Sequence, residues 1–388
     1  MQLFDIIICG GGPSGSTCAL ALAGSGLKVA VIEKASFPRN KVCGDAIAPY
    51  ISKVLNTIHP KYKDALRDFT GKAEMDTGRA VAPNEKYIDI TSGETGFMVT
   101  RMEWDNFLYK LAAAENNITW FLDHEITDVT VDPGLKQATV TASGNTFKSK
   151  IVIGCDGAHS ITNKKLTGTQ PDLKHYSGAV RAYYKNVKDI PGKTYELHFI
   201  KGILPGYFWI FPLKNNMANV GVCIPSSVIS KRRINLRHTM EDIINNNPAI
   251  KPRFEDAELI GKIEGYGLPL GSRKTIISGD HFMLCGDAAS LIDPATGEGI
   301  GQSMISGRYA GWQAIKCFEQ DNFSAGFMKH YNKQLYTKLW STARKSYFVQ
   351  RILLKRAWLF NGLFNLLLKN KWMKKLALRQ IVTGGSSK

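Results

Sequence analysis

Apolar runs at Leu3 to Cys9 and Leu27 to Ile32 flank a stretch of small, helix-compatible residues, Pro13 to Ser25. This order predicts a strand, helix, strand unit at the start of the chain. A helix is expected from Asp45 to Asn56, and strands at Lys72 to Val81, Tyr87 to Ile90 and Gly96 to Thr100. Helical spacing returns at Met102 to Glu115, followed by strands at Ile118 to Phe121, Glu125 to Val131 and Gln137 to Thr141 and the apolar strand Lys150 to Gly154. Next come aromatic-rich strands at Gly178 to Val187, Thr194 to Lys201, Tyr207 to Leu213 and Ala218 to Ile224, with one helix from Ile229 to Asn246. Strand Phe282 to Cys285 and a long helix, Gly299 to Phe318, precede a tail that reads as helices from Gly326. No fixed-period repeat is visible.

The pattern predicts an α/β chain: a Rossmann-type nucleotide domain, an inserted and mostly antiparallel β-sheet domain, and a helical C-terminal tail. The expected boundaries are 1–70, 100–172 and 271–325 for the nucleotide domain, 71–99 and 173–270 for the sheet domain, and 326–388 for the tail.

Composition narrows the class. With 388 residues, 44% apolar and 21% charged, the chain can bury one large or two medium cores, which excludes disorder and fibrous repeats. Its longest nearly apolar run, Ala357 to Leu368, is interrupted by Asn361, Gly362 and Asn365 and is shorter than the roughly 20 residues that cross a bilayer. The opening Met1-Gln2-Leu3-Phe4-Asp5 lacks the features of a secretory signal, and the seven cysteines follow no repeated spacing. A reduced, cytoplasmic setting is expected.

Charge changes the picture of the tail. The formal net charge is +17, and from Asp321 onward fourteen basic residues face that single acid. Ile352, Leu353, Trp358, Phe360, Leu363, Phe364 and Leu367 alternate there with Lys355, Arg356, Lys369, Lys371, Lys374 and Lys375. Such a segment either packs on the body with a basic outer face or lies on an anionic membrane surface. Nucleic-acid binding is not expected, because no recognised module accompanies the charge.

Gly10-Gly11-Gly12-Pro13-Ser14-Gly15 matches G-x-G-x-x-G between a strand and a helix. Gly10 suits the tight turn, Gly12 the approach of a pyrophosphate, and Gly15 close packing of helix and strand. Pro13 and Ser14 open the helix, whose free N–H groups favour anions. Glu33, followed by Lys34, ends the next strand where a carboxylate accepts ribose hydroxyls. The loop alone leaves FAD and NAD both open.

Two later segments bear on that choice. Ile151 to Gly157 ends a strand in Asp156-Gly157, and Phe282 to Ala289 ends another in Gly286-Asp287. The combination resembles the para-hydroxybenzoate-hydroxylase-like flavoproteins, in which a carboxylate at the Gly286-Asp287 position binds the ribityl chain of FAD. Downstream, Gly297, Gly299 and Ile300 begin the long helix, whose N–H groups would face the flavin pyrimidine.

Phe37 to Asp45 contains Lys41-Val42-Cys43-Gly44, and Leu204 to Pro212 contains Tyr207-Phe208-Trp209-Ile210-Phe211-Pro212. Together they resemble the geranylgeranyl reductase family, over about residues 1 to 320. The resemblance implies FAD-dependent reduction of C=C bonds in an isoprenoid lipid or prenylquinone, with an external donor, NAD(P)H or ferredoxin-type, left open. It implies that Cys43 and Gly44 lie near the flavin, that Arg39 contacts phosphate or flavin, and that Arg101 and Ile126 lie at the adenosine half. Tyr207, Trp209, Phe211 and Pro212 would line the lipid cavity. The family pattern has Pro three residues before the tyrosine, whereas here Leu204 stands there and Pro205 follows.

Cys43 and Tyr207 are the candidate catalytic residues, with water an equal candidate for the proton donor. By alternation, Tyr207, Trp209 and Phe211 share one strand face and Phe208 and Ile210 the other, which suits either a lipid wall or a plain core. Gly265 to Gly271 fails the spacing for a second nucleotide loop, no metal-binding spacing occurs, and His159, His198 and His281 read as structural. The alternatives are an FAD-dependent monooxygenase or halogenase on the same fold, and a non-catalytic flavin- and lipid-binding module.

Overall fold

Ile6–Cys9 lies near the middle of a six-stranded sheet in a computed structural model that describes residues 2–352 and 354–370. The strand order is Ser278–Gly279, Phe282–Leu284, Ile151–Gly154, Ile6–Cys9, Val29–Ile32 and Ile118–Phe121. All but the Ser278–Gly279 edge run parallel. Three central strands are buried along their whole length, as unbroken apolar runs require when both sheet faces are covered.

Two helices run from the ends of this sheet and pack on each other, Pro13–Leu22 and Ile300–Glu319. Their contact is made of small residues. A Cβ on Gly307 would strike the Ser14 carbonyl, and one on Gly311 would lie 2.8 Å from the Ala21 methyl.

A four-stranded sheet joins Gln2–Leu3, Asn145–Ser149, Gln137–Ala142 and Ile126–Asp132. Asn145–Ser149 was not expected, because Phe147 is its only large apolar residue. The third sheet has eight strands: Glu258–Pro269, Tyr176–Lys185, Met217–Pro225, Tyr207–Pro212, Thr194–His198, Ala73–Val81, Tyr87–Met98 and Ala46–Ile47. Strands from 71–99 and from 173–270 thus share one sheet, joined by the parallel pair Thr194–His198 and Ala73–Val81.

The structure corrects several element boundaries. Asp45 has φ +65°, Ala46–Ile47 pairs with Phe97–Met98, and the expected helix begins only at Ile51. Tyr87 to Met98 is one strand rather than two. The helix expected from Ile229 to Asn246 is two, Ser226–Arg232 and Leu236–Asn246, broken at Arg233 with φ +54° and restarted by Asn235, which caps His238 N. Glu258–Pro269 is a strand that the sequence pattern does not single out, and its Gly267 leaves room for the Tyr176 ring across the strand pair.

The tail forms helices Ala325–Ile352 and Ala357–Lys369. Leu354, Phe360 and Phe364 bury themselves against Ala82 and Ile88 of the eight-stranded sheet. Among the described residues no helix is long and apolar enough to cross a membrane. Leu353, Lys371, Lys374 and Lys375 lie outside the described residues.

Candidate active site

The glycine loop is built by close approach. Gly10, with φ +101°, lies under Cys155, whose carbonyl would be 2.5 Å from a Cβ there, and a Cβ on Gly15 would strike the Gly10 carbonyl. Gly12 is the N-cap of Pro13–Leu22 and no side chain caps that helix, so its first N–H groups remain available where Gly12, Pro13 and Ser14 line a large cavity. Glu33 is buried; its Oε2 accepts from Gly11 N at 2.8 Å and its Oε1 lies 3.4 Å from Arg39 Nε. Lys34 and Ile126 line the same cavity.

Asp105, which the sequence reading missed, ties two arginines to this end. Its carboxylate takes Arg101 in a bidentate pair at 2.6 and 2.7 Å and Arg39 at 3.0 Å. The only signal was the four-residue spacing of Arg101 and Asp105 on helix Arg101–Ala113.

At the other end, Asp287 lines the cavity and lies 3.4 Å from Lys41 Nζ, which also sits 4.5 Å from the Tyr266 ring centre. His159 joins this wall, edge-on to Tyr266. Gly286 packs beneath, its N–H bonded to Ser306 Oγ at 2.9 Å. The loop before the central helix is folded by Asp293 Oδ1, which accepts from Ala295 N, Thr296 N and Thr296 Oγ1 at 3.0 Å each. Gln350 of the tail donates to the Pro294 carbonyl at 2.6 Å. Gly297, with φ +72°, passes 2.8 Å from the Tyr207 hydroxyl for a built Cβ, and that hydroxyl donates to the Thr296 carbonyl. Gly299 is the uncapped N-cap of the central helix, and Ile300 its first residue.

Asp156 sits at the cavity edge with its carboxylate turned to the chain, accepting from Ser160 Oγ, Thr162 N and Thr162 Oγ1 at 2.5 to 3.0 Å. These bonds tie it to the first turn of helix Ile161–Thr167, whose N-cap is Ser160. Burial pushes its carboxyl up from the ordinary value.

Between the two ends stands the aromatic wall. Tyr207, Trp209 and Phe211 face the cavity, while Phe208 and Ile210 enter the core behind the sheet. Pro212 is buried opposite Ala218 at the strand end, away from the lining. Burial raises the Tyr207 hydroxyl well above the ordinary tyrosine value. Cys43 and Gly44 lie against this wall, a Cβ on Gly44 being 3.3 Å from Phe211.

Asp45 holds that segment from behind. Its carboxylate accepts from Arg101 N, Tyr183 Oη and Asn219 Nδ2 at 3.3, 2.7 and 2.8 Å, and burial pushes it up to about 6. The left-handed backbone at a buried aspartate is kept by these contacts.

The cavity encloses about 1710 Å³ and continues beyond the wall to Val349, Leu354, Phe360 and Phe364 of the tail. That exceeds the ordinary ligand-pocket range of about 300–1,000 Å³. Two uncapped helix N-termini and the carboxylates of Glu33 and Asp287 line this one cavity, and their chemistry fits an extended, hydroxyl-bearing dinucleotide. Among the described residues no cluster of metal-ligating side chains occurs.

Fold and site together define an FAD-dependent oxidoreductase. Residues 4–335 match the FAD binding domain family. The chain is 29% identical over 343 residues to digeranylgeranylglycerophospholipid reductase of Thermoplasma volcanium, covering 86% of this chain and 83% of that one. It is 31% identical over 318 residues to menaquinone reductase of Mycolicibacterium smegmatis, covering 79% and 75%. Among solved structures, a geranylgeranyl bacteriochlorophyll reductase-like protein of Thermoplasma acidophilum superposes with TM-score 0.78 at 26% identity over 90% of this chain and 87% of that one. A flavin-dependent brominase reaches the same TM-score at 21% identity, over 99% and 94%, a likeness of fold alone. The chain belongs to the geranylgeranyl reductase family of FAD-dependent oxidoreductases.

Proposed function

We propose that the chain reduces isolated C=C bonds in the prenyl chain of a geranylgeranyl lipid or prenylquinone. The observation that carries this reading is the single cavity running from the glycine loop, past Tyr207, Trp209 and Phe211, to the apolar tail residues Phe360 and Phe364. A polyprenyl chain has no polar group to anchor, so shape and dryness must hold it. Aromatic rings and aliphatic tail residues supply both.

FAD, when reduced, supplies the hydride. Gly10, Gly12, Pro13, Ser14 and Gly15 would cradle its pyrophosphate, Glu33 its ribose, Asp287 its ribityl chain, and the N-terminus at Gly299 and Ile300 the flavin pyrimidine. Lys34, Arg39, Arg101 and Ile126 would border the adenosine half. Cys43 and Gly44 would set the distance between flavin and wall. In this reading residues 1–70, 100–172 and 271–325 form the cofactor unit, and 71–99 with 173–270 the substrate unit.

The reading extends to a membrane surface. Trp358 is 71% exposed, and Phe348, Ile352, Leu366 and Leu368 are exposed on the tail helices that carry Arg351 and Lys369, with Lys355 and Arg356 in the turn between them. A lipid substrate and a basic, apolar outer face favour attachment to an anionic bilayer over simple solvation.

The test is anaerobic. The flavoprotein is reduced with dithionite and mixed with a geranylgeranyl lipid or a prenylquinone, and the products are weighed by mass spectrometry. Two hydrogens gained in the prenyl chain establish the reading. A flavin that stays reduced with every lipid yet reoxidises in air while hydroxylating or halogenating an aromatic overturns it.

A further inference from the structure

Glu298 stands in the turn between Gly297 and Gly299 and lines the cavity together with Tyr50 and Tyr195. The Tyr50 hydroxyl, from the segment before helix Ile51–Ile58, donates to Glu298 Oε1. The fold makes room for this pair: a Cβ on Gly301 would strike the Tyr50 hydroxyl and come within 2.7 Å of Glu298 Oε1. Beside it, Gln302 hydrogen-bonds the carboxyl and, like Tyr50, favours its ionised form, while the Gln302 side-chain oxygen is buried without a donor among the described residues.

Among the described residues the groups that act electrostatically on Glu298 are Tyr50, Gln302, Asp293 and Tyr195, none of them a cation. Burial and, less strongly, the Asp293 charge push its carboxyl up to about 7. Asp45 and Asp156, the other carboxyls on the cavity that burial pushes up, are each saturated by three donors. Tyr207 already spends its proton on the Thr296 carbonyl.

We propose that Glu298 is the general acid of prenyl reduction, with Tyr50 the residue that orients it. The inference rests on the prenyl-reductase reading. The alkene π bond breaks; one carbon takes a hydride, with its electron pair, from the reduced flavin, and the other takes the Glu298 proton. The flavin is left oxidised and Glu298 ionised, with the Tyr50 hydroxyl bonded to the new carboxylate. Solvent returns the proton between turnovers.

The experiment compares wild type with Glu298→Gln, Glu298→Asp and Tyr50→Phe, each as FAD-loaded protein. Infrared difference spectra of the oxidised protein should show a carboxylic C=O band that titrates near pH 7 and is missing in Glu298→Gln. In anaerobic single turnover with geranylgeraniol, wild-type reoxidation should slow as pH rises through that value. Glu298→Gln should be slower by about a hundredfold or more and flat with pH, Glu298→Asp partly restored, and Tyr50→Phe shifted in its pH profile. If wild type turns over and Glu298→Gln matches it within about threefold with the same pH profile, the acid assignment falls alone. If wild type is never reoxidised by the alkene, the prenyl-reductase reading falls, and this inference with it.

Discussion

Asn219 donates its amide N–H to the carbonyl oxygen of Cys43 at 2.7 Å, across 176 residues of sequence. The same amide donates to Asp45 at 2.8 Å and accepts from Trp209 Nε1 at 2.9 Å. The Cys43 to Asp45 segment and the aromatic wall are therefore one hydrogen-bonded unit. Replacing Asn219 with Leu strands the indole N–H and the Cys43 carbonyl. Urea unfolding should register a loss of about 1–3 kcal/mol, with prenyl reduction falling more steeply than FAD affinity. A variant with wild-type stability and rate would show that the bridge is idle.

Glu33 offers a test of the cofactor's adenosine end. Glu33→Gln keeps an acceptor for Gly11 N but removes the charge that faces Arg39 and, in the proposed reading, the ribose. FAD affinity of the apoprotein, followed by flavin fluorescence quenching, should fall about tenfold to a hundredfold.

Buried carboxyls give stability an inverse pH dependence. Asp45 rests at about 6 in the folded chain against an ordinary 3.8, so the folded state holds its proton where the unfolded state has lost it. Its stabilising share is complete below about pH 4 and is lost as pH rises through about 6, some 3 kcal/mol in all. Glu298 acts with the same sign up to about pH 7. Wild-type stability relative to Asp45→Asn should decline over pH 4 to 7 in parallel urea titrations. An unchanged difference across that range would contradict the account.

The tail can be tested by chain length. Phe360 and Phe364 line the far end of the cavity, with Phe360 5.0 Å from the Phe199 ring. Phe364→Ala should weaken binding of a geranylgeranyl substrate by about tenfold while leaving a geranyl one nearly unaffected, read as the ratio of KM values. Equal effects on both lengths would place the tail outside the substrate path.

Membrane attachment has its own readout. The protein should sediment with phosphatidylserine vesicles, less with phosphatidylcholine vesicles, and less again at high salt or as Trp358→Ala. Indifference to lipid charge and to Trp358 would leave the tail as a packing element only.

Much of this was legible in order along the chain. The glycine spacing, Glu33 and the Gly286-Asp287 pair depend on local backbone geometry, and the Tyr207, Trp209, Phe211 alternation follows from the two-residue repeat of a strand. Asn219 was not legible, because a polar residue in the apolar run Met217–Pro225 gives no hint of partners 174 and 176 residues away. Asp105 was hidden likewise among the charges of an ordinary helix. The tail was read for its charge, and its part in the cavity escaped because Gln350 and Phe364 act on loops and strands far earlier in the chain.

The glycine contact between Pro13–Leu22 and Ile300–Glu319 works as a calliper. One helix begins at the glycine loop and the other at the Gly297–Gly299 turn, and Gly307 and Gly311 leave no slack between them. The separation of the two jaws is thereby a fixed length, matched to a molecule that reaches from one to the other. A flavin mononucleotide keeps the isoalloxazine and one phosphate and in the proposed reading would still touch both jaws, so the calliper sets the reach of the flavin half while the adenylate half is selected at the Glu33 end of the cavity.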